Sequence, residues 1–378
     1  MSTPAAAVPA ATAAPAGVPA GSGQQFQKLL PYLNLAVQKS ASDIFFTANA
    51  PAMLKVEGEM LGVGKQQLSA QAIADLAMSI LTPEQQAHLR EHLEIDLALQ
   101  AGTLGRFRVN IFHQRSVLGM VLRYVKSTVP TIEELGVPEV LKDLIMHKRG
   151  MLLMVGATGS GKSTTLAAMI NHRNENKTGH ILTIEDPIEF IHPNKRSIIN
   201  QREVGQDSHS YENALKSSLR EAPDVILIGE IRKRDTMEAT IQLANTGHLS
   251  ISTLHANNAY QALQRIVNLY PDDLRDQLYM DLAMTLRAIV SQRLVKRKDG
   301  KRCAAIEIMM NTPYISDLIL KKRIDEVKEA MNQSSDKGML TFDNSLYGLF
   351  KDGQIELEEA LTNADSRTNL EAKINFGA

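Results

Sequence analysis

Gly156-Ala157-Thr158-Gly159-Ser160-Gly161-Lys162-Ser163 decides how this chain is read. It fits G-x-x-x-x-G-K-[ST] at every position, with an apolar run over 151–155 before it and a helix-compatible stretch over 164–170 after it. Glycines at 156, 159 and 161 can take the positive φ that curls backbone N–H groups around a phosphate. The following helix offers unpaired N–H donors and a positive dipole end to the same anion. Lys162 supplies a point charge for the β- and γ-phosphates, and the Ser163 hydroxyl is a ligand for Mg²⁺. The run from Gly156 through Ala157, Thr158, Gly159, Ser160, Gly161, Lys162 and Ser163 to Thr164 is therefore expected to cradle a nucleoside triphosphate. Nothing in the spacing separates ATP from GTP.

Two acidic segments stand in matching places downstream. Asp224-Val225-Ile226-Leu227-Ile228-Gly229-Glu230 reads as a buried strand with a carboxylate at its end, where open α/β sheets bind ligands. Glu230 is thus expected to hold the Mg²⁺ shell, partly through water, or to polarise water. Ile184-Glu185-Asp186-Pro187-Ile188-Glu189-Phe190 puts three carboxylates within five residues, and Pro187 stops the strand. Clustered acids repel one another unless a cation or proton compensates, which a site holding Mg²⁺-nucleotide would supply. His248 and His255 flank the apolar run 249–254. Spacing alone leaves open whether either is structural, and no third His or Cys lies near enough to make a metal site.

Four apolar runs, 151–155, 181–184, 225–228 and 249–254, alternate with helical stretches and predict a mainly parallel α/β sheet. Lys298-Asp299-Gly300-Lys301 is expected to turn a hairpin between 293–295 and 304–310. Residues 312–365 read as a helical appendix, and 366–378 as a C-terminal tail. Toward the N-terminus, Phe26, Leu29, Leu30, Leu33 and Val37 recur at helical spacing. Apolar stretches at 44–46 and 53–56 follow. Ser69 can cap one helix, and Thr82-Pro83-Glu84-Gln85 starts another. Residues 95–99 and 106–112 alternate with period 2, and 118–124 is expected as a third strand. These elements predict a smaller α+β domain over 24–127, joined to the larger one by a Pro-bracketed connector at 128–137.

Arg106 and Arg108 leave one face of a predicted strand, and Arg123 lies on the next. Paired guanidinium groups are costly to bury without an anion. They serve either a salt-bridged surface or an arginine finger that neutralises γ-phosphate charge.

Composition bounds the partners. Lys+Arg 41 against Asp+Glu 42 nets to −1 and aromatics are only 4%, so a stable nucleic-acid partner is not expected. The one cysteine, Cys303, excludes an intramolecular disulfide framework and a four-cysteine zinc site. No apolar run is long enough to span a bilayer. Residues 1–23 hold nine Ala, four Pro and three Gly, with no Lys or Arg, and read as a disordered tail rather than a secretory signal. A soluble, cytosolic protein is expected.

GATGSGKSTT, ILTIEDPIEF, NQREVGQD, LREAPDVILIGEIR and TGHLSISTLHANNA occur here in that order. Together they resemble the secretion ATPase superfamily, most closely its PilT/PilU family of type IV pilus retraction ATPases, over about 24–365. The resemblance implies a PAS-like N-terminal domain joined flexibly to a RecA-like P-loop ATPase core, assembled as a homo-hexamer that hydrolyses ATP with Mg²⁺. It implies Glu189 as general base with Glu185 in support, Glu230 as the Walker B acid, and His248 and His255 as nucleotide-sensing residues. Arg106, Arg108 and Arg123 would approach nucleotide at a domain or subunit interface. A PilT-like ATPase and a PilC-like inner-membrane platform protein would be partners, with the chain peripheral to that membrane and serving pilus retraction and twitching motility. Tyr314-Ile315-Ser316-Asp317-Leu318-Ile319-Leu320-Lys321 lacks the arginines of the retraction motors' AIRNLIRE motif, and the tail after Gly338 runs long. Both features fit the accessory, PilU side of the family. The single cysteine argues against extension motors and type II secretion ATPases, which usually carry a tetracysteine element.

Overall fold

The computed structural model describes residues 26–56, 58–125, 128–334, 336 and 338–376. The Ala/Pro-rich tail over 1–23 lies outside the described residues. The chain parts into two compact units between Val125 and Lys126.

In the first unit, the helix Leu30–Gln38 precedes β1 (Asp43–Phe46), β2 (Ala52–Val56) and β3 (Glu59–Val63). Two further helices, Ala70–Met78 and Pro83–His92, start where their capping residues predict. Ser69 accepts from the Ala72 N–H, and Thr82 with Gln85 closes a reciprocal capping box. β4 (Glu94–Gln100), β5 (Arg106–Gln114) and β6 (Val117–Val125) complete an antiparallel sheet of order β3-β2-β1-β6-β5-β4. Period-2 alternation sends Phe107, Val109, Ile111, Met120 and Leu122 into a core shared with the helices. β3 is exposed along nearly its whole length, so no alternation marked it in the sequence.

The second unit opens with a packed segment. Ile132 and Val137, inside the stretch expected as a connector, are buried in its core, and Thr131 with Glu134 forms a capping box. The sheet comprises β7 (Gly150–Val155), β8 (Gly179–Glu185), β9 (Ser197–Glu203), β10 (Val225–Glu230), β11 (Leu249–Leu254), β12 (Leu286–Lys296) and β13 (Arg302–Met310). Its order is β13-β12-β7-β11-β10-β8-β9, parallel throughout except for the β12–β13 hairpin. Both faces are covered. Leu152 and Met154 enter one core, while Met151, Leu153 and Val155 enter the other. A strand buried on both sides reads as a continuous apolar run, which is why β7 and β10 were legible.

β9 was not expected as a strand. It lies at the sheet edge, and its second half is Asn200-Gln201-Arg202-Glu203. The C-terminal appendix also runs further than expected. Helices Phe342–Lys351, Leu357–Asn363 and Arg367–Phe376 pack on the β12–β13 hairpin, with Phe342, Leu346, Leu361 and Leu370 buried beside Val295 and Ala305. Residues 367–376 are thus helical and anchored through Leu370, where the sequence suggested a tail.

Candidate active site

β7 ends at the glycine loop, and the helix Lys162–Asn176 begins inside it. Gly156 and Gly161 are required by space as well as by their positive φ of 154° and 87°. A Cβ at Gly156 would lie 2.5 Å from Ser160 Oγ, and one at Gly161 would lie 2.7 Å from Gln292 Nε2. The helix N-cap is Gly161, which has no side chain to satisfy the first-turn N–H groups. Those donors remain for an anion. Lys162 Nζ donates to Gly156 O at 2.7 Å and to Ala157 O at 2.8 Å. An ammonium has three donors, so one is left for phosphate. Burial lowers the Lys162 pKa, with Glu230 and Glu189 opposing that shift.

The loop is fastened by a residue the sequence did not single out. Gln292, buried on β12, donates from Nε2 to Ser160 O at 2.9 Å and accepts from Thr165 Oγ1 at 2.8 Å. Gln292 gave little signal in the sequence, since it stands between Ser291 and Arg293 in a strand that also carries Arg287 and Lys296. Ser160 Oγ is buried with no hydrogen-bond partner among the described residues, so this loop retains a polar atom for a ligand.

The carboxyl ends of β8 and β10 bring the acids together. A cavity of about 110 Å³ is lined by Ser163, Glu185, Glu189, Glu230, Tyr211 and His192, among others. Glu185 Oε1 accepts from Thr183 Oγ1 at 2.6 Å and from Gln201 Nε2 at 3.3 Å. Burial nevertheless pushes Glu185 up to about 7. Burial, with the Lys195 ammonium adding to it, pushes His192 down to about 4, so its ring is neutral at physiological pH. Glu189 is exposed at the cavity, and its carboxylate takes no side-chain hydrogen bond among the described residues. Asp186 carries the turn away from β8.

Glu230 has two partners. His255 Nε2 stands 3.1 Å from Oε1, and Arg232 Nε donates to Oε2 at 2.8 Å. Arg232 was missed because it lies past the strand end, where spacing carries no signal. The histidines separate. His255 directly follows β11, at the strand end next to Glu230. His248 precedes the same strand, its carbonyl accepting from the N–H of Gly150 at the start of β7. Its Nδ1 lies 3.0 Å from Thr246 Oγ1 and 3.1 Å from Leu243 O. At about 3.3 Å rise per residue the two rings lie on the order of 20 Å apart, so of the two only His255 meets Glu230.

The three arginines lie in the first unit and are described there. Arg108 and Arg123 are direct cross-strand partners, and Arg106 pairs with Val125 in the same ladder. Their alternate neighbours Phe107, Val109 and Leu122 fill the core, so the arginines occupy the opposite face. Arg123 Nε lies 2.8 Å from Oδ1 of Asp43, which is buried.

A glycine cradle, a lysine and carboxylates at the strand ends of a RecA-like sheet define a P-loop ATPase. A family model described as type II/IV secretion system protein matches residues 21–350. The chain is similar to the type IV pilus ATPase PilU of Pseudomonas aeruginosa, with 49% identity covering 94% of this chain and 92% of that one. It is also similar to the PilT retraction ATPase of the same organism, at 40% identity over 89% and 98% of the two chains. A crystal structure of the pilus retraction motor PilT with bound ADP matches with a TM-score of 0.85 at 36% identity, covering 91% of this chain and 98% of that one. The chain belongs to the type II/IV secretion system protein family and, within it, to the PilT/PilU group.

Proposed function

We propose that this chain is a motor subunit of the type IV pilus machinery, hydrolysing Mg²⁺-ATP in a homo-hexameric ring and acting in retraction as an accessory to a PilT-like ATPase. The observation that carries the catalytic part is the convergence of Ser163, Glu185, Glu189 and Glu230 on one cavity beside the glycine loop. In this reading the γ-phosphate rests against the loop N–H groups and Lys162. Glu189 takes the proton of the attacking water, because its carboxylate is at the cavity and unengaged. Glu185, held by Thr183 and Gln201, supports the acidic turn. His255 and Arg232 fix the orientation of Glu230. Catalysis is positioning and charge neutralisation, with little covalent work for the protein.

Ser163 and Glu230 fit Mg²⁺ by donor chemistry, a hydroxyl and a carboxylate being oxygen ligands suited to a hard cation. When bound there, the ion neutralises charge on the phosphate oxygens. Arg106, Arg108 and Arg123 are proposed to meet nucleotide at a domain or subunit interface. Their common face, away from their own core, supports this. His248 is proposed as a structural anchor of β11 on its observed contacts.

Among the described residues no helix is long and apolar enough to cross a membrane. On its likeness to the type IV pilus ATPases, the chain is proposed to act in the cytoplasm, docked on an inner-membrane PilC-like platform. The test pairs purified-protein turnover with a deletion strain. ATP hydrolysis without PilT, together with a hyperpiliated, retraction-defective strain, is the expected result. A bald strain would point to an assembly or secretion ATPase. Absent turnover would point to a nucleotide-binding adaptor.

A further inference from the structure

Residues 186–196, between β8 and β9, form neither helix nor strand. The backbone polar groups of such a segment need partners outside any ladder. Two side chains of β9 supply several of them. Glu203 Oε2 accepts the Ile188 N–H at 3.1 Å. Gln201 Oε1 accepts the His192 N–H at 2.8 Å, and Gln201 Nε2 donates to Phe190 O at 2.8 Å and to Glu185 Oε1 at 3.3 Å. Gln201 and Glu203 are two apart on one strand, so they share a face. The turn is thus gripped at 188, 190 and 192, on either side of Glu189, while the Glu189 carboxylate takes none of these bonds.

We propose that Gln201 is a positioning residue for hydrolysis, its side-chain amide gripping the acidic turn so that Glu189 is presented to the cavity. The inference rests on the reading of Glu189 as general base. Three carboxylates in five residues repel one another, and a turn held only by its two ends would relax that repulsion by spreading. Displacing a reacting group by about 1 Å costs on the order of a hundredfold in rate. An amide suits the place because it both accepts from one peptide and donates to another. A carboxylate at 201 would keep the bond to the His192 N–H but lose the donor to Phe190 and set a like charge against Glu185. An apolar side chain of equal length would lose both ends.

The test uses the full-length protein, with steady-state ATP turnover, binding of a fluorescent non-hydrolysable ATP analogue and thermal melting measured together. Gln201→Met is expected to lower kcat by about 10- to 100-fold, with analogue affinity held within about twofold because the glycine loop is untouched. Gln201→Glu is expected to fall between wild type and Gln201→Met below pH 6 and to lose that advantage above pH 8. The decisive variant is Gln201→Met combined with Glu189→Gln. If Gln201 acts through Glu189, the double variant is slower than Glu189→Gln by no more than about twofold. Losses that multiply overturn the inference, as does unchanged turnover in Gln201→Met. Equal losses of turnover and analogue affinity also overturn it, since they mark general damage. Normal turnover in Glu189→Gln defeats the base assignment separately and, with it, the claim that Gln201 serves that base.

Discussion

His255 and Glu230 meet at neighbouring strand ends, Nε2 to Oε1 at 3.1 Å, while His248 stands at the far end of the strand His255 follows. One imidazole thus meets the acid at the tip of β10, and the other stands against Thr246 and Leu243 before β11, where the His248 carbonyl accepts the Gly150 N–H. His255→Ala is expected to reduce kcat by about tenfold, because Glu230 loses one of two orienting contacts. His248→Ala is expected to act on stability by about 1 kcal/mol, from the contacts to Leu243 and Thr246, with a smaller effect on chemistry. Turnover and denaturant midpoints measured on both variants check the split. Equal kinetic losses would contradict it.

Lys162→Ala is expected to abolish measurable hydrolysis, since it removes the charge facing the phosphates. Gln292→Leu is expected to be milder. It keeps the strand packing but unfastens Ser160 O and Thr165 Oγ1, costing about 1–3 kcal/mol and weakening nucleotide binding. Isothermal titration with ADP separates the two, because Gln292→Leu should bind weakly but still turn over at saturating ATP.

Gly229 precedes Glu230 and lies against the Tyr211 hydroxyl. A Cβ there would sit 2.5 Å from the Tyr211 hydroxyl, with its next contact at 3.4 Å. Gly229→Ala is therefore expected to lower activity and melting temperature. Adding Tyr211→Phe should recover much of both by removing the obstructing atom. A double variant no better than Gly229→Ala would show that the glycine serves another need.

Glu307 on β13 is buried, accepting the Ala259 N–H at 2.7 Å and the Ser291 hydroxyl at 2.9 Å. Burial pushes its pKa from 4.5 up to about 7. A raised folded-state value means that the fold favours the neutral acid. The associated stability is full below pH 4.5, declines as pH rises and is gone above pH 7. A shift of this size corresponds to about 3 kcal/mol. Glu307→Gln keeps an acceptor without the charge. It should raise the melting temperature relative to wild type at pH 8 and change it little at pH 4. A gain confined to acid pH would reverse the sign.

The appendix gives a further test. Leu370 is 1% exposed in the small core on the β12–β13 hairpin. Leu370→Ala is expected to cost about 2–5 kcal/mol, as deletion of a buried leucine does. Truncation after residue 365 should destabilise at least as much, by denaturant unfolding of the full chain against the shortened one.

The local parts of this protein were set by sequence alone. The glycine loop demands particular residues at particular steps, the doubly buried strands β7 and β10 read as apolar runs, β8 and β11 as largely apolar ones, and the caps at Ser69, Thr82 and Thr131 close through neighbouring residues. Each depends on chain a few residues long, so spacing suffices. What the tertiary structure decided is everything that crosses between strands. Gln292 reaches the glycine loop, Gln201 grips the acidic turn, Arg232 and His255 converge on Glu230, and His248 is carried away from them. The edge strands β3 and β9 and the helix over 367–376 belong to the same class. Most of their side chains are polar or exposed, and their pairing is settled by a neighbour distant in sequence, whose place only the folded chain determines.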